Sequence, residues 1–343
     1  MKNMKLFLLA CLCLALFLPA AVQAKTITLS LTDQNSDVGW GPVHATQPWA
    51  KQVEKATNGR VKIQIYPSQT LAKGKESWNA TKHGIADMSW NVMTFFPGLT
   101  PYADVITLPG LPVKSGGQNS EVLWKLFEKY PAVSDQFAEN KVLLLHTSDP
   151  FSLLTRKKQV KTLEDIKGLN IRSVGGPMVE SLKALGCNPM MIPMPDCYIA
   201  MQKGTVDGMA APWEAVHGFR LHEVTKYITS NVPLGGSYFA VVMNKKKWNS
   251  LSKDLQDAIM SVSGLKGSIF FGQNFFDLAA KEVPKLAKEQ GHDIGVYSLP
   301  AKERARWDEL AAGPVWENWI KKMEGNGYKE ARKILNATLE MLK

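Results

Sequence analysis

The stretch TLEDIKGLNIRSVGGPMVESLKALGCNPMMIPMPDCYIAMQKGTVDGMAAPWE, residues 162–214, decides the fold. Three short apolar runs, 169–174, 190–194 and 206–211, alternate with two amphipathic runs, 178–185 and 197–201. Strand, helix, strand, helix, strand in that order predicts parallel strands covered by helices, hence an α/β fold. Arg172 ends the first predicted strand, just ahead of Gly175, Gly176 and Pro177. Open α/β sheets hold ligands outside the carboxyl ends of their strands. A guanidinium there offers a planar fork that matches a carboxylate. The same pattern also fits a structural arginine paired with a nearby aspartate.

Upstream, residues 27–31 and 61–65 alternate as strands, and 86–92 reads as a third. A loop at 32–42 carries Trp40 between glycines, and Trp49, Val53 and Ala56 mark one face of a helix that stops at Asn58-Gly59. Residues 142–146 form an apolar strand expected to cross towards a second lobe, and 236–244 the strand that returns. From 247 to 291 the spacing predicts one long helix, with Pro284 expected to kink or interrupt it. A strand near 294–299 and a helix from Pro300, carrying Trp307, Leu310, Trp316 and Trp319, close the chain.

At 343 residues the chain exceeds what one compact core usually holds, so two lobes are expected. Its 45% hydrophobic and 21% charged residues are ordinary for a folded soluble protein. The net charge of +10 is carried by dispersed basic residues and no groove-reading motif accompanies it, which argues against a nucleic-acid partner. A basic field also draws anions to a cleft. Lys2 and Lys5 precede an apolar run at 6–18, and small residues precede Ala24. This reads as a secretory signal peptide, residues 1–24, cleaved on export. Of the remaining cysteines, Cys187 and Cys197 flank a strand that would hold them too far apart for a disulfide, so two buried thiols are expected. No Cys/His spacing suggests zinc, and no cofactor motif is found. The six histidines fall in no Ser/His/Asp or H-E-x-x-H pattern, and no P-loop or nucleophile elbow occurs.

The ordered set Asp165, Lys167, Gly168, Leu169, Ile171 and Arg172, then Leu185, Gly186 and Pro189, then Pro195, Tyr198, Ala200, Gln202, Gly204, Val206, Asp207 and Gly208 resembles the solute receptors of TRAP transporters, the tripartite ATP-independent periplasmic carriers. The resemblance runs from about Ile27 to the C-terminus and includes 59–71 and 84–88. It implies a two-lobed periplasmic binding protein of type II-like architecture, with crossing strands and a long helix spanning both lobes. Lobe I would comprise 25–147 and 238–275, and lobe II 148–237 and 276–343. It further implies a monomer that binds a small organic acid, needs no cofactor and delivers its solute to integral membrane permease subunits.

By the same resemblance Arg172 clamps the solute carboxylate, and Trp40, Trp90, Trp213, Phe151 and Tyr238 fall on cleft-lining segments. Each aromatic residue fits core packing equally well, and Phe95 and Phe96 read as core. Sialic-acid receptors of the family carry a second arginine where Ser152 stands, a glutamate where Val92 stands, and an asparagine motif where Ala210, Ala211 and Pro212 stand. The pocket therefore reads as apolar and aromatic apart from Arg172, fitting a monocarboxylate with an apolar or aromatic body. Arg156 and His146 remain candidate polar contacts. A small dicarboxylate or 2-oxo acid, with Arg156 as second charge contact, stays open. So do a receptor serving a sensor and a secreted hydrolase using cleft carboxylates.

Overall fold

The computed structural model describes residues 26–343; the signal peptide expected at 1–24 lies outside the described residues. Among the described residues eleven strands form two sheets. They are β1 (Ile27–Thr32), β2 (Val61–Tyr66), β3 (Met88–Val92), β4 (Lys141–Thr147), β5 (Ser152–Thr155), β6 (Asn170–Ser173), β7 (Asn188–Met191), β8 (Gly208–Ala211), β9 (Tyr227–Ser230), β10 (Tyr238–Met243) and β11 (Gly295–Ser298). The first sheet has the order β2-β1-β3-β10-β4, and the second β11-β9-β5-β8-β6-β7. In the first, β1, β2 and β3 run parallel and β10 runs antiparallel to both β3 and β4. In the second, β6 lies parallel to β7 and β8, while β5 opposes β8 and β9. Central strands covered on both faces read as unbroken apolar runs; every residue of β3 and β10 is buried, whereas edge strand β2 alternates.

Two strand-to-strand crossings between the sheets run side by side. β4 leads into β5 through 148–151, and the return through 235–237 enters β10. The two crossings are tied together: the Ser148 N–H donates to the Ser237 carbonyl at 3.0 Å, and the Phe151 N–H to the Gly235 carbonyl at 2.8 Å. Gly235 is at φ +71, and an added Cβ would lie 2.2 Å from the Thr107 carbonyl oxygen, so this crossing tolerates no side chain there.

The long helix is shorter than expected. Residues 245–261 form two separate helices, Lys245–Asn249 and Lys253–Ser261. A continuous helix then runs over 264–289, about 39 Å at the usual rise. The break falls at Gly264, at φ +54, a left-handed conformation that the apolar spacing does not reveal. Pro284 lies inside Leu278–Glu289 without interrupting it. A π-helical segment, Gly272–Asp277, occupies the middle. Phe271, Phe275 and Phe276 pack in the first sheet's core, and Ala279 and Val283 in the second's, so the helix does span both lobes.

The C-terminal boundary also differs from expectation. Trp307 and Ala311 pack in the second lobe, but Trp319, Ile320, Met323, Ile334 and Leu335 join Trp78, Leu123 and Tyr238 in the first. Residues 276–343 therefore do not stay in one lobe. The helix expected to carry both Trp307 and Trp319 breaks at Ala312, between Ala301–Ala311 and Gly313–Gly325, which lets the chain turn back.

Candidate functional site

Arg172 stands on β6, paired beside Met209 of β8 and Met190 of β7, and is 1% exposed. Its Nε–H donates to the Ile192 carbonyl at 2.8 Å and an Nη1–H to the Ala210 carbonyl at 3.2 Å. These use two of the five N–H groups of a guanidinium. Among the described residues no carboxylate pairs with it, and burial pulls its pKa down from the ordinary arginine value. A buried cation without an acidic partner is strongly unfavourable. Gly175 and Gly176, at φ +99 and +62, follow the strand, and a Cβ on Gly175 would lie 3.4 Å from the Thr94 carbonyl of the first lobe. Both positions are left-handed, which glycine adopts without strain.

Arg172 opens into a narrow interlobe cavity of about 40 Å³. Its apolar wall includes Trp90, Val92, Phe95, Phe239, Phe275 and Phe276, with Phe151 and Met194 on the opposite side. The rings are stacked: Trp90 lies 4.8 Å from Phe239 at 20° and 5.5 Å from Phe275 at 5°. The π-helical turn carries Phe275 and Phe276 to this wall; such turns recur at functional sites. His146 sits behind the rings, fully buried, with its Nε2 accepting the Trp90 Nε1–H at 3.0 Å. Burial holds its pKa well below the ordinary histidine value, so the imidazole is neutral and its role is to fix Trp90.

The residues singled out from the sequence part company here. Arg172, Trp90, Phe151 and Val92 meet in the cavity, and Phe95, expected as core, joins them. Tyr238 does not. Side chains alternate across a strand, so Ser237 and Phe239 face the cavity while Tyr238 points to the opposite core. There its hydroxyl lies 2.9 Å from Asp104 Oδ1 and 2.8 Å from Thr100 Oγ1. Trp40 reaches into the second lobe's core, donates its Nε1–H to the Asn274 carbonyl at 3.2 Å and stacks on His44. Ser152 and Trp213 line a separate cavity at the strand crossings. Arg156 lies at the far end of β5, its Nη2 donating to the Gln202 carbonyl at 3.3 Å. His146 is a buried support behind the wall, Phe96 flanks another groove, and the two cysteines are separate buried thiols.

Four polar residues in the cavity escaped the sequence reading: Gln34, Asn35, Ser237 and Glu214. Gln34 and Asn35 follow the end of β1 after Asp33, so the strand-end rule that selected Arg172 reaches them too. Asn35 is held by Asp33 Oδ1, which accepts its backbone N–H at 2.9 Å and its side-chain N–H at 2.8 Å. The remaining Asp33 oxygen and Asp149 Oδ1 are buried without a hydrogen-bond partner. Burial pushes Asp33 up to about 7. It pushes Asp149 up to about 8, with Asp277 adding repulsion. Glu214 also rises to about 8 through burial, with Asp33 and Asp149 adding repulsion.

A larger groove of about 880 Å³ lies between 93–104 and the helix Gly313–Gly325. Its lining cation is the exposed Lys322. The buried cation lies in the Arg172 cavity instead.

Paired strand crossings and a bridging helix link the two lobes, with Arg172 buried between them. Residues 42–323 match the model of the bacterial extracellular solute-binding protein family 7, and the chain belongs to that family. It is a solute receptor of the TRAP type. The family serves transport and does not comprise enzymes, which sets the hydrolase alternative aside; its members bind small organic acids and work with TRAP membrane permeases. A TRAP solute-binding protein from Rhodoferax ferrireducens T118, solved with copurified benzoate, superposes with a TM-score of 0.87 at 26% identity, over 92% of this chain and 98% of that one. A marine-metagenome TRAP protein specific for aromatic acids, with 3-hydroxybenzoate, gives 0.86 at 26% identity, over 93% and 98%. The C4-dicarboxylate-binding periplasmic protein of Rhodobacter capsulatus is 26% identical over 87% of this chain and 88% of its own length.

Proposed function

We propose that this receptor captures a small monocarboxylate with an aromatic or branched apolar body, in the periplasm, as a monomer exported by its N-terminal signal. The observation that carries the reading is Arg172, buried without an acidic partner and opening onto stacked aromatic rings. Arg172 would take the carboxylate through a charge-assisted, two-point contact, while the rings of Trp90, Phe239 and Phe275 would take the body. A sugar acid presents many hydroxyls, and each one stripped of water without a partner costs about 1–3 kcal/mol. Arg156, far down β5, offers no second charge for a dicarboxylate. The similar receptors solved with benzoate and 3-hydroxybenzoate support the same class.

The site lies between the lobes, so ligand contacts shared by both favour the closed form. A calorimetric panel of benzoate, phenylacetate, a branched-chain 2-oxo acid, succinate and glucuronate tests the reading. Aryl or branched acids should bind with micromolar or better affinity. Binding confined to succinate or glucuronate overturns it.

A further inference from the structure

We propose that Glu214 is a second ligand contact and determines specificity, its carboxyl pairing with a hydroxyl that the acid carries away from its carboxylate. The inference rests on the aromatic monocarboxylate reading above and deepens it. Glu214 and Arg172 leave the carboxyl ends of adjacent parallel strands: β8 ends at Ala211, Glu214 opens the next helix, and Arg172 lies on β6. Both side chains are buried and both line one cavity. Gln34 and Asn35 enter it from the end of β1.

No ion pair or hydrogen bond holds the Glu214 carboxyl among the described residues, and the charges acting on it are those of Asp33 and Asp149, both acids. Its surroundings can be named element by element. Asp33 follows β1, Asp149 lies in the crossing after β4 with Asp277 beyond it, and Arg172 lies on β6. His217 shares the Glu214 helix. On the bridging helix packed against it, Lys281 and Lys285 face solvent and Glu282 is half-buried.

Burial, with Asp33 and Asp149 adding repulsion, raises Glu214 to about 8, so it rests as a neutral carboxyl although Arg172 lines the same cavity. A neutral carboxyl has one O–H to donate and a carbonyl to accept. A hydroxyl needs both partners, so the two groups are complementary. An unsubstituted aryl acid would leave the carboxyl unpaired in a dry cavity. An ionised Glu214 would instead oppose the ligand's own charge.

The test is isothermal titration of benzoate, 3-hydroxybenzoate and 4-hydroxybenzoate into the wild type, Glu214→Gln and Glu214→Leu, at pH 6.5 and pH 9, with a melting curve for each protein. At pH 6.5 the wild type should prefer one hydroxybenzoate to benzoate by about tenfold, the worth of one good buried hydrogen bond. Glu214→Leu should reduce that ratio to near one. Glu214→Gln, whose amide both donates and accepts, should keep it. At pH 9 the wild type should weaken about tenfold for every acid it binds, and Glu214→Gln, in which Asp33 and Asp149 still ionise, should weaken clearly less.

A hydroxyl preference that survives Glu214→Leu overturns the proposal. Should Glu214→Leu fail to fold, a wild-type alkaline loss shared in full by Glu214→Gln overturns it equally. If the aryl acids bind with no hydroxyl preference, this inference alone is lost. If no aryl acid binds the folded wild type, the reading beneath it fails as well.

Discussion

The two walls of the cleft are built on opposite principles. The first lobe supplies rings whose polar edges are already satisfied: Trp90 Nε1–H is bound to His146, and Phe239, Phe275 and Phe276 stack around it. The second lobe supplies Arg172 and Glu214, buried groups whose charge or hydrogen bonds are not satisfied within the protein. Apolar rings are at ease without a ligand, whereas an unpaired buried charge is not. Affinity and closure should therefore be dominated by the second lobe, and shape selection by the first.

Removing the unsatisfied charge is the sharpest way to break this asymmetry. Hydrogen bonds to charged groups contribute about 1.5–3 kcal/mol each, so Arg172→Ala should cost at least a hundredfold in affinity for any acid the wild type binds. Calorimetry measures it. Arg172→Lys should recover only part, because it keeps the charge and loses the fork. The melting temperature of ligand-free Arg172→Ala should fall only modestly, since the Ile192 and Ala210 carbonyls each lose a donor but no internal carboxylate loses its partner. A large drop would make Arg172 a structural group.

The first-lobe wall should respond in stability. Trp90→Ala removes a large buried ring and orphans His146 Nε2, so a loss of about 3–5 kcal/mol is expected by denaturant titration. A loss under about 1 kcal/mol would mean the stack is loose.

A smaller effect distinguishes the walls by pH. Asp33 and Asp104 are raised to about 7, and Asp149 and Glu214 to about 8, by burial before all else. In the unfolded chain these acids ionise near 4, so up to about pH 7–8 the folded state binds more protons. Stability therefore falls as pH rises, and levels off above the folded values. His146, pulled down by burial, acts in the opposite sense below about pH 6.5, so the clean window is pH 6.5 to 8.5. Asp165, lowered to about 2, is ionised throughout and adds no slope. The ligand-free protein should melt several degrees lower at pH 8.5 than at pH 6.5, and Glu214→Gln should show a smaller fall. A rising melting temperature would contradict the burial of these acids.

Much of the second lobe was legible because its elements are local. Strand, turn and helix between 162 and 214 follow one another in the chain, so the strand carrying Arg172 could be read there, while the ligand role expected of that arginine came mainly from the family resemblance. The aromatic wall was less legible because it is assembled from three distant segments, β3, β10 and the π-helical turn. Tyr238 was misassigned for want of the strand's facing, a one-residue matter: its neighbours Ser237 and Phe239 hold the positions expected of it. Trp40 follows the right strand but seats in a core, since a strand-end loop can turn its ring either way. Glu214 passed unnoticed because a single acid in sequence carries no sign of its burial or of the acids that approach it in space. The helix break at Gly264 was hidden because apolar spacing continues across it.

The most direct measurement is a crystal structure of the protein grown with benzoate. Both carboxylate oxygens should lie about 2.7–2.9 Å from guanidinium nitrogens of Arg172, with the ring between the Trp90–Phe239–Phe275 wall and Phe151. A benzoate seated elsewhere, with Arg172 still bound only to the Ile192 and Ala210 carbonyls, would contradict the account.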